Sequence, residues 1–182
     1  MSLLSYHELC DLVGLGVVQG VQPGCINGTS IDVHLGAEIM REINVGCNVP
    51  VSLKDKMPLN MYREDITQGN GFYLLKPNEF ILAHTIEKFN LPSDISAEFK
   101  LNSSGARIGL DNALATWCDP GWHGSVLTLE LKNLTRFHTI RLDYNCRIGQ
   151  MIFHRSMPVP RYRSYAVRGR YNQDTSVSTV KK

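Results

Sequence analysis

The chain has 182 residues, 43% of them hydrophobic and 20% charged, which suffices for one substantial buried core, so we expect one domain. Its 19 Lys and Arg residues nearly balance 17 Asp and Glu residues. The formal net charge of +2 is too small for the electrostatic field of the whole protein to bind polymeric nucleic acid or an anionic membrane. No apolar run approaches the ~20 residues of a spanning helix. Residues 1–10 lack the pattern of a secretory signal, so we expect a soluble, cytoplasmic protein.

The first predicted element is a short N-terminal helix. Ser5 and Glu8 stand at capping-box spacing, Leu9 and Leu12 begin an apolar stripe, and Gly14 ends the helix.

Short β-prone runs separated by Gly, Pro, Asn and Asp follow as far as about residue 153. Many short strands at this spacing are typical of a barrel or a sandwich, so residues 1–160 are predicted to form a mainly β domain. The predicted strands are 31–35, 72–75, 80–86, 95–101, 126–131, 139–142 and 148–154.

Residues 161–182 form a basic and aromatic tail with little to bury. We expect this tail to be mobile unless a ligand or a neighbouring subunit orders it. Its alternating side chains are Arg161, Tyr162, Arg163, Tyr165, Arg168, Arg170 and Tyr171.

The cysteines are scattered without a C-x-x-C pair, which favours reduced thiols over a disulfide framework. None lies at zinc-ligand spacing from another Cys or a His, so we predict no zinc site and interpret them as small buried hydrophobic side chains. His34 and His123 have no partner at metal or triad spacing and are interpreted as structural or surface histidines. The five cysteines are Cys10, Cys25, Cys47, Cys118 and Cys146.

Residues 101–110 could bind phosphate. Ser103 and Ser104 precede the flexible Gly105, and paired hydroxyl groups at a turn or helix start suit phosphate oxygens, with Arg107 completing the site. The alternative is an ordinary polar turn with a surface arginine. Neither common glycine-rich phosphate motif occurs elsewhere in the chain.

Asp119 comes directly before a Pro-Gly turn. An aspartate in this position commonly accepts backbone N–H bonds of the turn. It could instead accept a hydroxyl proton from a sugar, with Trp117 or Trp122 forming a wall beside the ring. The sequence leaves both interpretations open.

Glu130 lies in the middle of an apolar strand. Leu127, Leu129 and Leu131 share one face of that strand, and Glu130 points the other way. Such a carboxylate is commonly on a solvated outer face, where Lys132 could pair with it. The alternative is a partly buried general base whose pKa is raised by desolvation.

Taken in chain order, several segments resemble the dCTP deaminase branch of the trimeric dUTPase-like superfamily. They include Ser-Ser-Gly-Ala-Arg at 103–107, Asp-Pro-Gly-Trp-His-Gly at 119–124 and Thr-Leu-Glu-Leu at 128–131. The others are residues 21–23, 26–36, 91–97, 147–153 and 170–173, so the resemblance spans most of the chain.

The resemblance implies a distorted dUTPase-like β-barrel with a short N-terminal helix, assembled as a homotrimer with active sites at subunit interfaces. It implies hydrolysis of a cyclic amidine C–N bond, converting dCTP to dUTP and ammonia, with Mg2+ bound through the nucleotide phosphates and no zinc. The H-x-E and P-C-x-x-C signature of zinc deaminases is absent from the sequence, so a side chain must take the proton from water.

The resemblance also implies roles for individual residues. Glu130 corresponds to the general base, and Ser103 and Arg107 to the residues that orient water, base and phosphates. Asp119 corresponds to the carboxylate that binds the sugar 3'-hydroxyl, and main-chain groups at Ala115 read the cytosine edge. The implied substrate-binding residues are Ser104, Gly105, Ala115, Trp117, Asp119, Gln150, Arg170, Tyr171 and Gln173, of which the last three belong to the tail that folds over the triphosphate.

The sequence departs from the family pattern at three places. Leu101-Asn102 replaces the usual Gly-Arg, which removes a cation and makes a monophosphate such as dCMP conceivable. Trp117 replaces the arginine of the simplest deaminases, although bifunctional members can have tryptophan there. Gly124 and Glu130 are one residue further apart than usual, which predicts a β-bulge between Ser125 and Leu129.

Four functional hypotheses therefore stand. The first is a dCTP deaminase, and the second is a bifunctional deaminase and dUTPase in which Asp119 orients a second water and the products are dUMP and pyrophosphate. The third is a dCMP-directed deaminase. The fourth is a non-catalytic, nucleotide-sensing trimer, which would have no need of a base at Glu130.

Overall fold

A computed structural model describes residues 2–46, 50–113 and 115–181. Within them, the helices are α1 (Tyr6–Gly14), α2 (Ser103–Arg107) and α3 (Tyr165–Arg168). The strands are β1 (Ser2–Leu3), β2 (Val18–Gln19), β3 (Ile31–His34), β4 (Glu38–Glu42), β5 (Met61–Asp65), β6 (Phe72–Leu75), β7 (Phe80–Asn90), β8 (Ile95–Leu101), β9 (Leu110–Asn112), β10 (Trp117–Cys118), β11 (His123–Asn133), β12 (Ile140–Asp143) and β13 (Arg147–Arg155). Short 3-10 turns cover Ile66–Gln68 and Arg161–Arg163.

The strands pair antiparallel in three sheets. The first sheet has the order β1-β13-β8-β10, with β3 also paired to β13. The second has the order β5-β4-β7-β11-β9, with β2 also paired to β7, and the third is the β12-β6 pair. Buried hydrophobic side chains from all three sheets form one cluster. The predicted mainly β fold is confirmed.

The predicted N-terminal helix is confirmed as α1. The Ser5 backbone N–H and hydroxyl both donate to Glu8 Oε2, at 2.9 and 2.8 Å, which caps the first turn. Leu9 and Leu12 are buried on the inner face of the helix.

All seven predicted strands are present, and the structure extends three of them, β7, β11 and β13. β7 and β11 each have 11 residues, and they pair with one another along most of their length. β4 and β5 were missed by the sequence analysis because charged side chains dominate them, yet they pair in full register from Glu38↔Asp65 to Glu42↔Met61. Backbone hydrogen bonding to a neighbouring strand decides their structure.

The pairing of β11 with β7 is irregular at two points. One register shift falls between Val126 and Thr128, inside the predicted bulge region, and there the additional residues belong to β7. The other falls between His123 and Ser125, where the extra β11 residue is Gly124 at φ +68°. Glycine tolerates this left-handed conformation, so the additional residue forms a bulge there and the side chains that follow keep their faces of the sheet.

A buried pair connects the two large sheets. His34 Nδ1 of β3 lies 2.7 Å from Glu87 Oε1 of β7, and the His34 backbone N–H donates to Glu87 Oε2 at 2.9 Å. The predicted structural role of His34 is therefore confirmed. His123 is partly buried, and its Nδ1 lies 2.9 Å from the Gly121 carbonyl oxygen.

None of the four described cysteines forms a disulfide. Cys118 is buried as predicted, whereas Cys10, Cys25 and Cys146 are only partly buried, so the expectation of complete burial is wrong for these three. Cys47 lies outside the described residues. In the described ranges, no helix is both long and apolar enough to cross a membrane.

Leu129→Ala tests the inner face of β11. Leu129 is fully buried between the sheets, so truncation should lower the free energy of unfolding by about 3 kcal/mol through lost burial and a cavity. The exposed Lys132→Ala on the same strand is the control and should change it by less than about 0.5 kcal/mol. Urea denaturation measures both, and equal effects would contradict the assignment of faces.

Candidate active site

Val126, Thr128 and Glu130, which alternate with the core leucines along β11, line a cavity of about 410 Å3, and Leu127 also borders it. The segment from Ala115 to Asp119 forms a second wall, and the C-terminal tail forms a third. The complete lining of this cavity is Leu82, Ala115, Trp117, Cys118, Asp119, Trp122, Val126, Leu127, Thr128, Glu130, Tyr165, Tyr171, Asp174, Ser178, Thr179 and Val180.

Glu130 is a partly buried carboxylate with no counter-ion among the described residues. Its Oε2 atom is inaccessible to solvent and finds no hydrogen-bond partner in that part of the chain. Burial raises the pKa of Glu130 to about 7, because the charged form loses its hydration. Because Glu130 Oε2 is inaccessible to solvent, the structure favours the partly buried alternative over the solvated outer face. Lys132, two positions further along the strand, is exposed.

The wall formed by β10 holds a second carboxylate. The Trp117 indole N–H donates to Asp119 Oδ1 at 3.0 Å, and the Trp117 ring stacks on His154 with ring centroids 6.0 Å apart. Asp119 is thus held by a side chain, and the residue is exposed and lines the cavity. This arrangement leaves Asp119 able to accept a hydroxyl proton from a ligand.

Trp122 fixes the tail against β11. Its ring is buried and stacks on Phe89 at a centroid distance of 5.5 Å, while its indole N–H donates to the Tyr171 carbonyl oxygen at 2.8 Å. The Ser125 hydroxyl donates to the same carbonyl oxygen, also at 2.8 Å. Of the two tryptophans considered as a wall, Trp117 is the exposed one.

The tail continues along β11 of its own chain. The Gln173 N–H donates to the His123 carbonyl at 3.0 Å, and the Val126 N–H donates to the Asp174 carbonyl at 2.8 Å. Val177 is fully buried, which corrects the expectation that the tail has little to bury. Whether the tail moves during function stays a prediction.

Helix α2 lies apart from this cavity. Asn102 caps the helix by accepting from the Gly105 N–H at 2.6 Å, and its amide donates to the Arg147 carbonyl at 2.8 Å. Arg107 is exposed and lines a different cavity of about 590 Å3 together with Arg141 and His138. The departure from Gly-Arg at this position therefore has a structural role in this chain.

The charges of the two cavities are opposite. The lining of the Glu130 cavity contains three carboxylates, Glu130, Asp119 and Asp174, and no Lys or Arg among the described residues. The nearby Lys181 is paired with Asp174. A nucleotide phosphate entering this cavity would need cations from elsewhere.

One chain therefore brings together only part of the predicted site. Ala115, Trp117, Asp119, Glu130 and Tyr171 line the same cavity. The predicted residues that do not line it are Ser103, Ser104, Gly105, Arg107, Gln150, Arg170 and Gln173.

Several lining residues were missed by the sequence analysis. Thr128 could have been found, because it lies two positions from Glu130 on the same face of β11. Asp174 and Ser178 carry no such signal, since the path of the tail decides their position. Over the described ranges, no group of three His, Cys, Asp or Glu side chains lies close enough to hold a metal ion.

Comparison with known proteins gives consistent similarities. A family profile described as dCTP deaminase-like matches residues 3–156. A protein of Methanothermobacter thermautotrophicus named "dCTP deaminase, dUMP-forming" is 33% identical over 143 residues, which cover 77% of this chain and 70% of the relative. A "dCTP deaminase" of Haloarcula marismortui is 33% identical over 155 residues, covering 83% and 77% of the two chains.

A solved structure shares the fold. The 2'-deoxycytidine 5'-triphosphate deaminase of Agrobacterium tumefaciens matches with a TM-score of 0.66 at 20% identity, over 84% of this chain. The match covers 47% of that protein, so this chain spans about half its length.

Glu130→Gln should change how stability depends on pH. The pKa of Glu130 is about 7 in the fold against an ordinary 4.5, so the folded state binds this proton more tightly than the unfolded state. Ionisation then destabilises the fold, with no cost below about pH 4.5 and the full cost above about pH 7. Relative to Glu130→Gln, the wild type should lose about 2–3 kcal/mol of unfolding free energy as pH rises through this window.

Urea denaturation at a series of pH values measures the difference. Thr128→Val is the matched control, because it alters the same cavity face without removing a carboxyl group. A difference between wild type and Glu130→Gln that stays constant with pH would show that Glu130 is hydrated like an ordinary surface carboxylate.

Proposed function

Because the chain belongs to the dCTP deaminase-like family, we propose that it hydrolytically deaminates a deoxycytidine nucleotide, with dCTP as the substrate and dUTP and ammonia as products. The observation that carries this proposal is the partly buried Glu130 carboxyl group, whose Oε2 is inaccessible and has no partner among the described residues, in a cavity large enough for a pyrimidine nucleoside. A general base works best when its pKa lies near the operating pH, and burial brings the pKa of Glu130 to about 7.

Glu130 would take a proton from water as the water oxygen attacks C4 of the cytosine. The resulting C4 centre carries both the new hydroxyl group and the amino group. Glu130 would pass this proton to N3. It would then transfer the proton of the C4 hydroxyl group to the amino group, so that the C4–N bond breaks, the C4 carbonyl forms and ammonia leaves. The product retains the oxygen of the water as the O4 carbonyl of uracil, so atoms and protons balance.

The β10 wall would bind the nucleoside. Asp119, held by the Trp117 indole, would accept the proton of the sugar 3'-hydroxyl. Main-chain groups at Ala115 would read the cytosine edge, since this residue lines the same cavity as Glu130. The Trp117 ring, half exposed and stacked on His154, would limit the space beside the sugar.

Charge supports a shared active site in a homotrimer. A triphosphate cannot be stabilised by a lining that carries three carboxylates and no described Lys or Arg. Arg107 is exposed on the opposite-charged cavity of the same chain, together with Arg141 and His138. We therefore propose that Ser103, Ser104, Gly105 and Arg107 of one copy complete the Glu130 cavity of the next copy.

Magnesium fits this arrangement as a companion of the substrate. We propose that Mg2+ is held through the nucleotide phosphates. Its contribution would be to neutralise phosphate charge. Arg170, Tyr171 and Gln173 would close over the phosphates, and Arg170 already lies beside Lys181 in the tail.

Bifunctional activity is the second candidate. A relative that is 33% identical is named dUMP-forming, and Asp119 sits at the exposed edge of the cavity, where it could orient a second water toward a phosphate. A dCMP-directed activity is less favoured but follows from Asn102, which caps α2 where the family usually places an arginine. A purely nucleotide-sensing trimer would not need an unpaired carboxylate buried in the cavity.

Glu130→Gln should reduce ammonia release by about 100-fold or more, while leaving nucleotide affinity comparable to that of wild type. Glutamine preserves size but cannot take a proton from water. Ammonia release measures the reaction and calorimetry measures binding, with Lys132→Ala as the control on the same strand. Full activity in Glu130→Gln would remove the proposed mechanism.

A parallel assay of dCTP, dCMP, dUTP and CTP separates the remaining candidates. Ammonia with accumulating dUTP indicates the deaminase, whereas dUMP and pyrophosphate indicate the bifunctional enzyme. Turnover of dCMP alone would support the view that the missing cation before Ser103 determines how many phosphate groups the substrate carries. Binding without turnover of any nucleotide would favour the sensor.

Subunit mixing tests the shared site. Glu130→Gln and Arg107→Ala chains should each be inactive alone, yet co-assembled trimers should regain activity in about a quarter of their sites, where an intact Glu130 meets an intact Arg107 of another copy. Ammonia release from the co-expressed variants measures this. If each site lies within one chain, the mixture stays inactive.

A further inference from the structure

Arg63 of β5 holds the end of the tail, although 113 residues separate it from Ser176 in sequence. Its Nη1 donates to the Ser176 hydroxyl at 3.0 Å, and its Nη2 donates to the Val177 carbonyl at 2.9 Å. The guanidinium is itself positioned by Glu38 of β4, whose Oε2 lies 2.6 Å from Nη1. A planar guanidinium can make these bonds at once, which a lysine ammonium cannot reproduce with the same geometry.

The residues held by Arg63 adjoin the cavity. Val177 is fully buried, and the next three residues, 178–180, line the wall beside Thr128 and Glu130. The Ser178 N–H donates to the Thr128 hydroxyl oxygen at 3.4 Å, which connects the tail to the strand face that carries Glu130. Arg63 does not line the cavity itself, so it can act on the site only through the tail.

We propose that Arg63 is a positioning residue that anchors residues 176–181 over the Glu130 cavity, and that this anchor keeps the tail end closed against β11. The anchor lies beyond Arg170, Tyr171 and Gln173, the tail residues proposed to contact phosphates. The Arg63 anchor therefore determines whether residues 178–180 remain part of the cavity wall, independently of the contacts that Arg170, Tyr171 and Gln173 make with phosphates.

Loss of the anchor would admit water to Glu130. The charged or titratable groups that line this cavity with Glu130 are Asp119 and Cys118 on the β10 wall, and Tyr165, Tyr171 and Asp174 on the tail. Lys181 is paired with Asp174, and Glu38 and His84 adjoin Arg63. Burial is the main cause of the raised pKa of Glu130, so opening the wall should return it toward its ordinary value.

The first experiment measures tail closure without nucleotide. Hydrogen exchange of the tail amides in residues 174–181 should accelerate about tenfold in Arg63→Ala, because one charge-assisted anchor is lost. Arg63→Lys should restore part of the protection. Arg41→Ala is the matched control, since Arg41 is an equally exposed arginine on the neighbouring β4 and contacts Glu64 and Tyr62 instead.

The second experiment tests whether Arg63 acts through the tail. Val177→Lys places a charge in a fully buried position next to Arg63 and should release the tail end in the full-length chain. Arg63→Ala should then have no additional effect on tail exchange in the Val177→Lys background. Additive effects of the two substitutions would show that Arg63 stabilises the fold by another route and would overturn the anchor.

The third measurement concerns the reaction and rests on the proposed function. Arg63→Ala should lower kcat/KM and move the acid limb of its pH profile to lower pH, whereas Arg41→Ala should change neither. A lower kcat/KM with an unshifted acid limb of the pH profile would overturn the proposal that the anchor controls the pKa of Glu130. If no nucleotide is deaminated by the wild type, the proposed function fails, while the exchange experiments still decide whether Arg63 anchors the tail.

Discussion

The burial of one carboxylate without a counter-ion is the interaction on which the site depends. Glu130 lies on the strand that also carries Leu127, Leu129 and Leu131 into the core. An unpaired buried carboxylate disfavours the folded state when ionised, so the packing on the other face of β11 must offset its cost. The same desolvation raises the pKa of Glu130 to about 7 and makes it suitable as a general base.

The tail produces part of this desolvation. Tyr171 is held by Trp122 and Ser125, and Val177 is held by Arg63, so the tail is fixed on both sides of the cavity. Asp174 lies between these two anchors and adds a third carboxylate to the lining. Lys181 of the same segment pairs with Asp174, so the tail closes the cavity while compensating the charge it adds.

The strand β11 accommodates its extra residue close to the site. Gly124, at φ +68°, absorbs one residue before the strand joins the register that leads to Glu130. A Cβ at this position would lie 3.2 Å from Gln173 Cγ, so the bulge also gives the tail room to pack. Without the bulge, every residue from Ser125 onward would face the opposite side, and Glu130 would enter the core.

Local patterns in the sequence determined most of the secondary structure and the two faces of β11. The Ser5–Glu8 cap and the seven strands depend on neighbouring residues and on period-two alternation, which can be recognised along a single chain. The three-dimensional structure alone decided that Glu130 is partly buried with an inaccessible Oε2, that Asn102 caps α2, and that Arg63 donates to the Val177 carbonyl oxygen. Those features depend on contacts between residues far apart in sequence, and no local pattern records which distant side chains exclude water from a carboxylate.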